Sequence, residues 1–290
     1  MTETALAYAK VNISLDIVSK MADGYHNMKM VMQTVSLADE ITIVCEPGEG
    51  IEIEAGRPFL PRDEKNISVK AALAFYRYTG IKGYKTEIKT KKNIPVCAGL
   101  GGGSADGAAV LRVLDKMFDT KLDRKELEAI GYEIGSDVPF CIDGGTSLAE
   151  GRGELLTNLP PVPECYVTIC KPPFSCRTPV LFGRINCDKI RARPDTEGIV
   201  TALEHEDLTA VARRMYNVFE DVLPRGIGEI TDIKNTLLDN GALGAVMTGS
   251  GPSVIGIFDN QSFAQSALEK LKQSYKECYL TQTVERLGYR

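Results

Sequence analysis

Between Pro95 and Ser104 the chain reads PVCAGLGGGS, and Val110, Leu111, Leu114, Met117 and Phe118 behind it fall on one helical stripe. Four glycines in five positions (Gly99, Gly101, Gly102, Gly103) that abut a helix restrict the fold more than any other feature. Glycine lets the backbone take positive φ and approach a ligand closely, while a helix start offers unpaired N–H groups and the positive end of a dipole. The pattern predicts a phosphate-holding loop rather than a flexible turn. Neither standard nucleotide fingerprint fits, because G-x-x-x-x-G-K-[ST] is absent and Ser104 stands where the last glycine of G-x-G-x-x-G would be.

A chain of 290 residues is about two domains' worth, enough for two cores or a cleft between them. Its apolar fraction of 43% and charged fraction of 25% are those of ordinary globular proteins, which excludes disorder. With 34 basic and 39 acidic residues the formal charge is -5, so no general field draws nucleic acid or an anionic membrane; phosphate must be held locally. Eight cysteines without a C-x-x-C pair, beside two histidines, point to neither a zinc site nor a redox couple. The thiols are scattered, the amino terminus lacks a basic region ahead of an apolar stretch, and no apolar run reaches ~18 residues. A soluble cytoplasmic protein is expected.

From Val11 to Ile17 the odd positions are apolar, the period of a strand with one buried face, which leaves Lys10, Asn12, Ser14 and Asp16 on the other. Ala22 to His26 reads as a turn, Met28 to Leu37 as the returning strand, and 41–45 and 51–54 as short strands. Asn66 starts a predicted helix that runs to Gly80, followed by a strand at 84–90. Asp123, with Glu126 three residues on, opens a helix carrying Leu127, Ile130 and Ile134 on one stripe, and delivers Asp137 into the loop behind it. Pro160, Pro161 and Pro163 resist helix and central strand alike, so a boundary is expected there, between domains 1–157 and 158–290. The second half reads as a strand (166–171), several helices (178–239), strands at 244–248 and 253–258, a helix (262–274) and a strand (279–285). That order is compatible with an elaborated split βαβ arrangement.

A second glycine-rich segment, Met247 to Ser253, is by itself a tight hairpin. With the first loop in the other half, it suggests a cleft gripping a polyphosphate from both sides. Lys10 and Asp137, each unexceptional as a surface charge, would together suit phosphoryl transfer to an alcohol. The carboxylate would accept or orient the hydroxyl proton, and the ammonium would steady the attacking oxygen. Tyr25 and His26 adjoin in a turn, where an aromatic face and an imidazole can stack on and hydrogen-bond a planar base. Cys97 and Cys141 read as small core residues.

Taken together, AYAKVNIS (7–14), the loop and helix start at 95–109, and TGSGPSVIG (248–256) resemble, in order and spacing, the three motifs of the GHMP kinase superfamily. ADGYH (22–26), GSDVPF (135–140) and AEGRGE (149–154) narrow the resemblance to members acting on 4-diphosphocytidyl-2-C-methyl-D-erythritol. It implies a two-domain α+β fold, the first half like ribosomal protein S5 domain 2 and the second ferredoxin-like, with ATP and a small-molecule substrate meeting in the cleft. The implied reaction moves the γ-phosphoryl group of ATP to the 2-hydroxyl of that alcohol, in the non-mevalonate route to isopentenyl diphosphate. A homoserine or mevalonate type of acceptor, or a non-catalytic sensor on the same fold, are the alternatives. A monomer or weak homodimer is expected.

Carried over by motif, the resemblance makes Lys10 and Asp137 the catalytic pair. Pro95, Gly99, Leu100, Gly101, Gly102, Gly103, Ser104 and Ala105 would hold ATP, with Ser104 near Mg2+, and Asn66 and Ile67 would belong to the adenosine pocket. Asn12, Tyr25, His26, Thr178, Phe182, Gly249, Ser250 and Gly251 would bind substrate, with cytosine between Tyr25 and Phe182. Two positions depart from the pattern. Met32 stands where an aromatic residue is expected, and Gly107 where alanine is usual, at up to ~1 kcal/mol of helix propensity but leaving the loop open.

Overall fold

β1 (Thr2–Lys20) and β2 (His26–Pro47) form a long antiparallel ribbon joined by the turn at 21–25. β1 runs well past the predicted 11–17, and β2 fuses the two strands expected at 28–37 and 41–45. The alternation in β1 is present, yet its polar face meets protein rather than water: Lys10, Asn12, Ser14 and Asp16 are all buried, Asp16 the least at 7% exposed. Register shifts between Tyr8 and Lys10 and between Asn12 and Ser14 re-aim the strand. Ala9, Val11 and Ile13 therefore pack into one core cluster, and Ala7, Leu15 and Ile17 into the other. The strand is thus shared between two cores.

β3 (Ile51–Glu54), α1 (Ile67–Thr79), β4 (Tyr84–Lys91) and α2 (Gly102–Phe118) follow, then α3 (Arg124–Ile134), α4 (Val138–Asp143), β5 (Thr146–Gly151) and β6 (Leu155–Asn158). The Asn66 side chain accepts the Ser68 N–H at 2.9 Å to cap α1, which ends at Gly80 with φ +72°. Asp123 and Glu126 complete both halves of a capping box on α3, as their spacing predicts. α2 is buried without interruption from Ala105 to Asp115, so small residues line its crossing with α1. Gly107 belongs to that crossing: an added Cβ would lie 2.7 Å from Ile67 Cγ2. Its missing side chain seats α1 instead of leaving the loop open.

The remaining elements are β7 (Tyr166–Lys171), α5 (Thr178–Phe182), α6 (Thr196–Glu204), α7 (Leu208–Arg213), β8 (Tyr216–Asn217), α8 (Ile227–Asp239), β9 (Gly244–Met247), β10 (Val254–Phe258), α9 (Gln261–Lys272) and β11 (Glu277–Gln282). This is a computed structural model describing residues 1–190, 192–223 and 227–289. Residues 191 and 224–226, inside the stretch 178–239 expected to be helical, and residue 290 lie outside the described residues. The first sheet runs β3-β4-β2-β1-β8, with β5 on β2 and β6 on β5; the second, wholly antiparallel, runs β11-β7-β10-β9. With α8 and α9 as its crossovers, the second sheet has the ferredoxin-like order, and α5 to β8 are the elaboration. β8 pairs in parallel with β1, and Thr283 and Arg286 bridge back to Val35 and Gly144, so the later part of the chain is stitched to the first sheet. No described helix is long and apolar enough to cross a membrane.

Candidate active site

Gly99 and Gly101 take φ of +78° and +66°, the left-handed region that only glycine occupies cheaply. Gly101 is the N-cap of α2, and the first helical bond runs from the Ala105 N–H to its carbonyl at 2.8 Å. The N–H groups of Gly102, Gly103 and Ser104 consequently have no partner inside the helix, which makes an anion-seeking cradle. Close approach explains the glycines as much as conformation does. A Cβ on Gly101 would sit 2.8 Å from Lys10 Cγ, and one on Gly99 would sit 2.2 Å from the Thr248 carbonyl oxygen.

A cleft of about 670 Å³ opens over this cradle. Pro95, Asn66, Ile67 and the stretch Gly99–Ser104 line it on one side; Thr178, Ser250 and Gly251 line it on the other. The two glycine-rich segments therefore face one cavity. Thr178, expected beside the substrate, lies on the wall facing the cradle, its hydroxyl 2.7 Å from that of Ser250. Gly249 and Ala105 sit behind the surface, Ala105 buried and Gly249 packed against Gly99. The second segment is anchored from below: Thr248 Oγ1 accepts the Asn12 N–H at 2.8 Å, and the Asn217 amide donates to the Met247 and Gly249 carbonyls at 2.7 and 2.8 Å.

Lys10 and Asp137, 127 positions apart in sequence, meet with Nζ 3.3 Å from Oδ2. The ammonium also donates to Asn12 Oδ1 at 2.7 Å, and the Lys10 N–H donates to the Leu100 carbonyl at 3.0 Å, which ties the pair to the loop. Asp137 is the N-cap residue of α4 but its side chain makes no capping bond, and the carboxylate turns to Lys10 instead. The Lys10 side chain is 5% exposed and that of Asp137 31%, so the acid is the member open to a substrate.

At the proposed base-reading turn, the arrangement differs from a simple sandwich of Tyr25 and Phe182. His26 stacks on Phe182 with centroids 4.9 Å apart, and the Arg152 guanidinium lies 3.7 Å from the Tyr25 ring centroid. Burial, and then the charge of Lys20, hold the His26 imidazole below its ordinary pKa, so it is neutral at pH 7. Met32, the departure noted in the sequence, is fully buried. Cys141 is buried as expected; Cys97 is not, because φ of +53° turns it out at the lip of the cleft.

One cluster escapes sequence reasoning. Lys92 Nζ, buried at the cleft wall, bonds both Asp39 and Asp106, and Asp39 Oδ1 also accepts the N–H groups of Asn93 and Ile94 at 2.6 and 2.8 Å. Burial pushes the Asp106 carboxyl well up despite the Lys92 ammonium, and its Oδ1 has no partner. Lys92 ends a run with Lys85, Lys89 and Lys91 that reads as a solvated strand face, so nothing local marks it. Thr248 and Asn217 are likewise invisible as anchors until the halves are brought together.

The GHMP kinases N terminal domain matches residues 66–145 of this chain, and the GHMP kinases C terminal domain matches residues 199–277. The chain is 44% identical to the 4-diphosphocytidyl-2-C-methyl-D-erythritol kinase of Acetivibrio thermocellus, over 96% of this chain and 98% of that one. It is 42% identical to the enzyme of the same name from Clostridium botulinum, over 96% and 99%. A crystal structure of 4-(cytidine 5'-diphospho)-2C-methyl-D-erythritol kinase superposes with a TM-score of 0.81 at 28% identity, covering 97% of this chain and 99% of that one. Homoserine kinase from Cytophaga hutchinsonii, at 23% identity, TM-score 0.78 and coverage of 98% and 95%, shares the fold.

Proposed function

The chain belongs to the family of 4-diphosphocytidyl-2-C-methyl-D-erythritol kinases within the GHMP kinases, and from that membership we propose how its residues carry the reaction. It is a phosphotransferase with an alcohol as acceptor, and its step, phosphorylation of 4-diphosphocytidyl-2-C-methyl-D-erythritol at the 2-hydroxyl, belongs to the non-mevalonate route to isopentenyl diphosphate. GHMP kinases use ATP.

In our reading the amides of Gly102, Gly103 and Ser104 take the ATP phosphates, and Asn66 and Ile67 border the adenosine. Asp137 takes or orients the proton of the acceptor hydroxyl. Lys10, held by Asn12 and by the loop carbonyl, keeps Asp137 in place and balances the negative charge that gathers on the attacking oxygen. Phosphoryl transfer needs positioning and charge stabilisation more than covalent help, and this pair supplies both. The single observation that carries the reading is the contact between Lys10 and Asp137 directly against Gly101 of the phosphate cradle.

Magnesium fits the donors present. Ser104 Oγ and the unpaired Asp106 Oδ1 are hard oxygen ligands beside the cradle, and among the described residues no group of three acidic, His or Cys side chains would cage a metal alone. That suits a cation that arrives with the phosphates and keeps most of its waters. A magnesium ion held by these oxygens would supply positive charge to offset that of the phosphates.

Tyr25, His26 and Phe182 are read as the cytosine site, with Asn12, Thr178, Gly249, Ser250 and Gly251 supporting the substrate side of the cleft. The reading includes a domain junction at 157/158 and a monomer or weak homodimer. It includes a cytoplasmic location, which eight unpaired thiols support. The test is ADP release with three acceptors offered separately. Only the cytidine-linked alcohol should be turned over; preference for homoserine or mevalonate, or binding without any turnover, would refute it.

A further inference from the structure

The hairpin between β5 and β6 turns in four residues, Gly151 to Glu154, with Gly151 and Gly153 at φ +69° and +111°. Because Gly151 pairs with Met28 at the start of β2, the next residue, Arg152, emerges beside the turn that leads into that strand. That turn is closed by its own backbone: the Met21 N–H donates to the Tyr25 carbonyl at 2.7 Å, and the Tyr25 N–H donates to Asp23 Oδ1 at 3.0 Å. Its backbone is fixed, but Tyr25 itself is 57% exposed.

Arg152 packs against this exposed ring. Its guanidinium forms an ion pair with Asp23 Oδ2 and lies over Tyr25 with Cζ 3.7 Å from the ring centroid. The Tyr25 N–H and the guanidinium both hold the Asp23 carboxyl below the usual carboxylate range, as expected of an anion kept ionised for this contact. The other shoulder of the same hairpin reaches the chemistry: a Cβ built on Gly153 would lie 3.9 Å from Asp137 Oδ1 and 3.3 Å from Met30 Cε. One four-residue turn therefore contacts the aromatic turn and passes beside the Asp137 carboxylate.

We propose that Arg152 is a positioning residue for acceptor specificity: anchored on Asp23, it braces the ring of Tyr25 so that the opposite face is presented to the cytosine of the substrate. The inference rests on the cytidine-linked acceptor proposed above. The guanidinium lies over the ring, and the exposure of Tyr25 leaves room for a base against it.

Steady-state kinetics of Arg152→Ala, Arg152→Lys and Asp23→Asn test it, with the acceptor and ATP varied separately. Arg152→Ala should raise the acceptor KM about tenfold and leave kcat within about twofold and the ATP KM unchanged, the split expected when only binding of the base is weakened. Arg152→Lys keeps a cation for Asp23 but not a planar one for the ring, and should fall between. Asp23→Asn preserves the bond to the Tyr25 N–H while removing the ion pair; its effect should not add to that of Arg152→Ala, because both act through one contact. An acceptor KM at or below that of the wild type in Arg152→Ala overturns the proposal, the lower value meaning that the guanidinium occupies the place of the base. Equal damage to kcat and to the ATP KM overturns it too, since that marks a general loss of the hairpin. Wild-type protein that fails to phosphorylate the cytidine-linked acceptor refutes instead the reading on which the proposal stands, so the two failures are distinct.

Discussion

Asp137 stands 3.3 Å from Lys10 Nζ with about a third of its side chain open, and an aspartate at a helix N-cap that declines to cap has its charge available for something else. Replacement by asparagine keeps the size and one acceptor oxygen but removes the basic one. In Asp137→Asn, kcat should fall by roughly 10² to 10⁴ while the acceptor KM stays close to wild type, because the lost interaction matters mainly as the proton moves. Pre-steady-state and steady-state turnover with the cytidine-linked alcohol measure it; unchanged kcat would remove Asp137 from the chemistry. Both members of this pair could be named from the sequence by residue type and motif. The burial of Lys10 could not, since a lysine on the polar face of a strand is ordinarily solvated, and here the loop at Leu100 and Gly101 closes over it.

The loop and its helix form the element on which the cleft depends. Gly101 is left-handed and also packs against the Lys10 side chain, so alanine there meets two penalties at once. The αL conformation costs an L-residue about 1 to 2 kcal/mol, and the new methyl would push Lys10 from its place beside Asp137. Gly101→Ala should weaken ATP binding and lower kcat about 10²-fold, the size of effect that a misplacement near 1 Å produces. Isothermal titration with a non-hydrolysable ATP analogue and turnover assays separate the two effects; normal values for both would mean that the cradle is not the phosphate site. Local signals of this kind were legible: the glycines, the Asn66 cap and the Asp123–Glu126 box all depend on neighbours within a few residues. Gly107 was legible only as an oddity, because its reason is Ile67 on another helix.

Across the whole molecule, the two halves are joined where Thr248 accepts the Asn12 N–H, both residues being buried. Thr248→Val has nearly the same shape and strands that N–H, which should lower stability by about 1 to 3 kcal/mol. Thr248→Ser should recover most of it. Urea unfolding midpoints decide the matter, and equal midpoints for valine and threonine would show that the bond is not structural. The same joint places one glycine-rich segment against the other, so stability and the geometry of the cleft are linked here.

The sequence by itself determined the local chemistry: which glycines bend the loop, where helices start and stop, and which acid and amine suit a kinase. These follow from interactions between residues close in the chain. Tertiary structure alone decided that β1 is buried on both faces and that Lys92 holds Asp39 and Asp106 in a buried triad. It alone decided that Arg152 reaches back 129 positions to Asp23. Burial and long-range pairing depend on what the rest of the chain packs against, and no window of neighbouring residues contains that information.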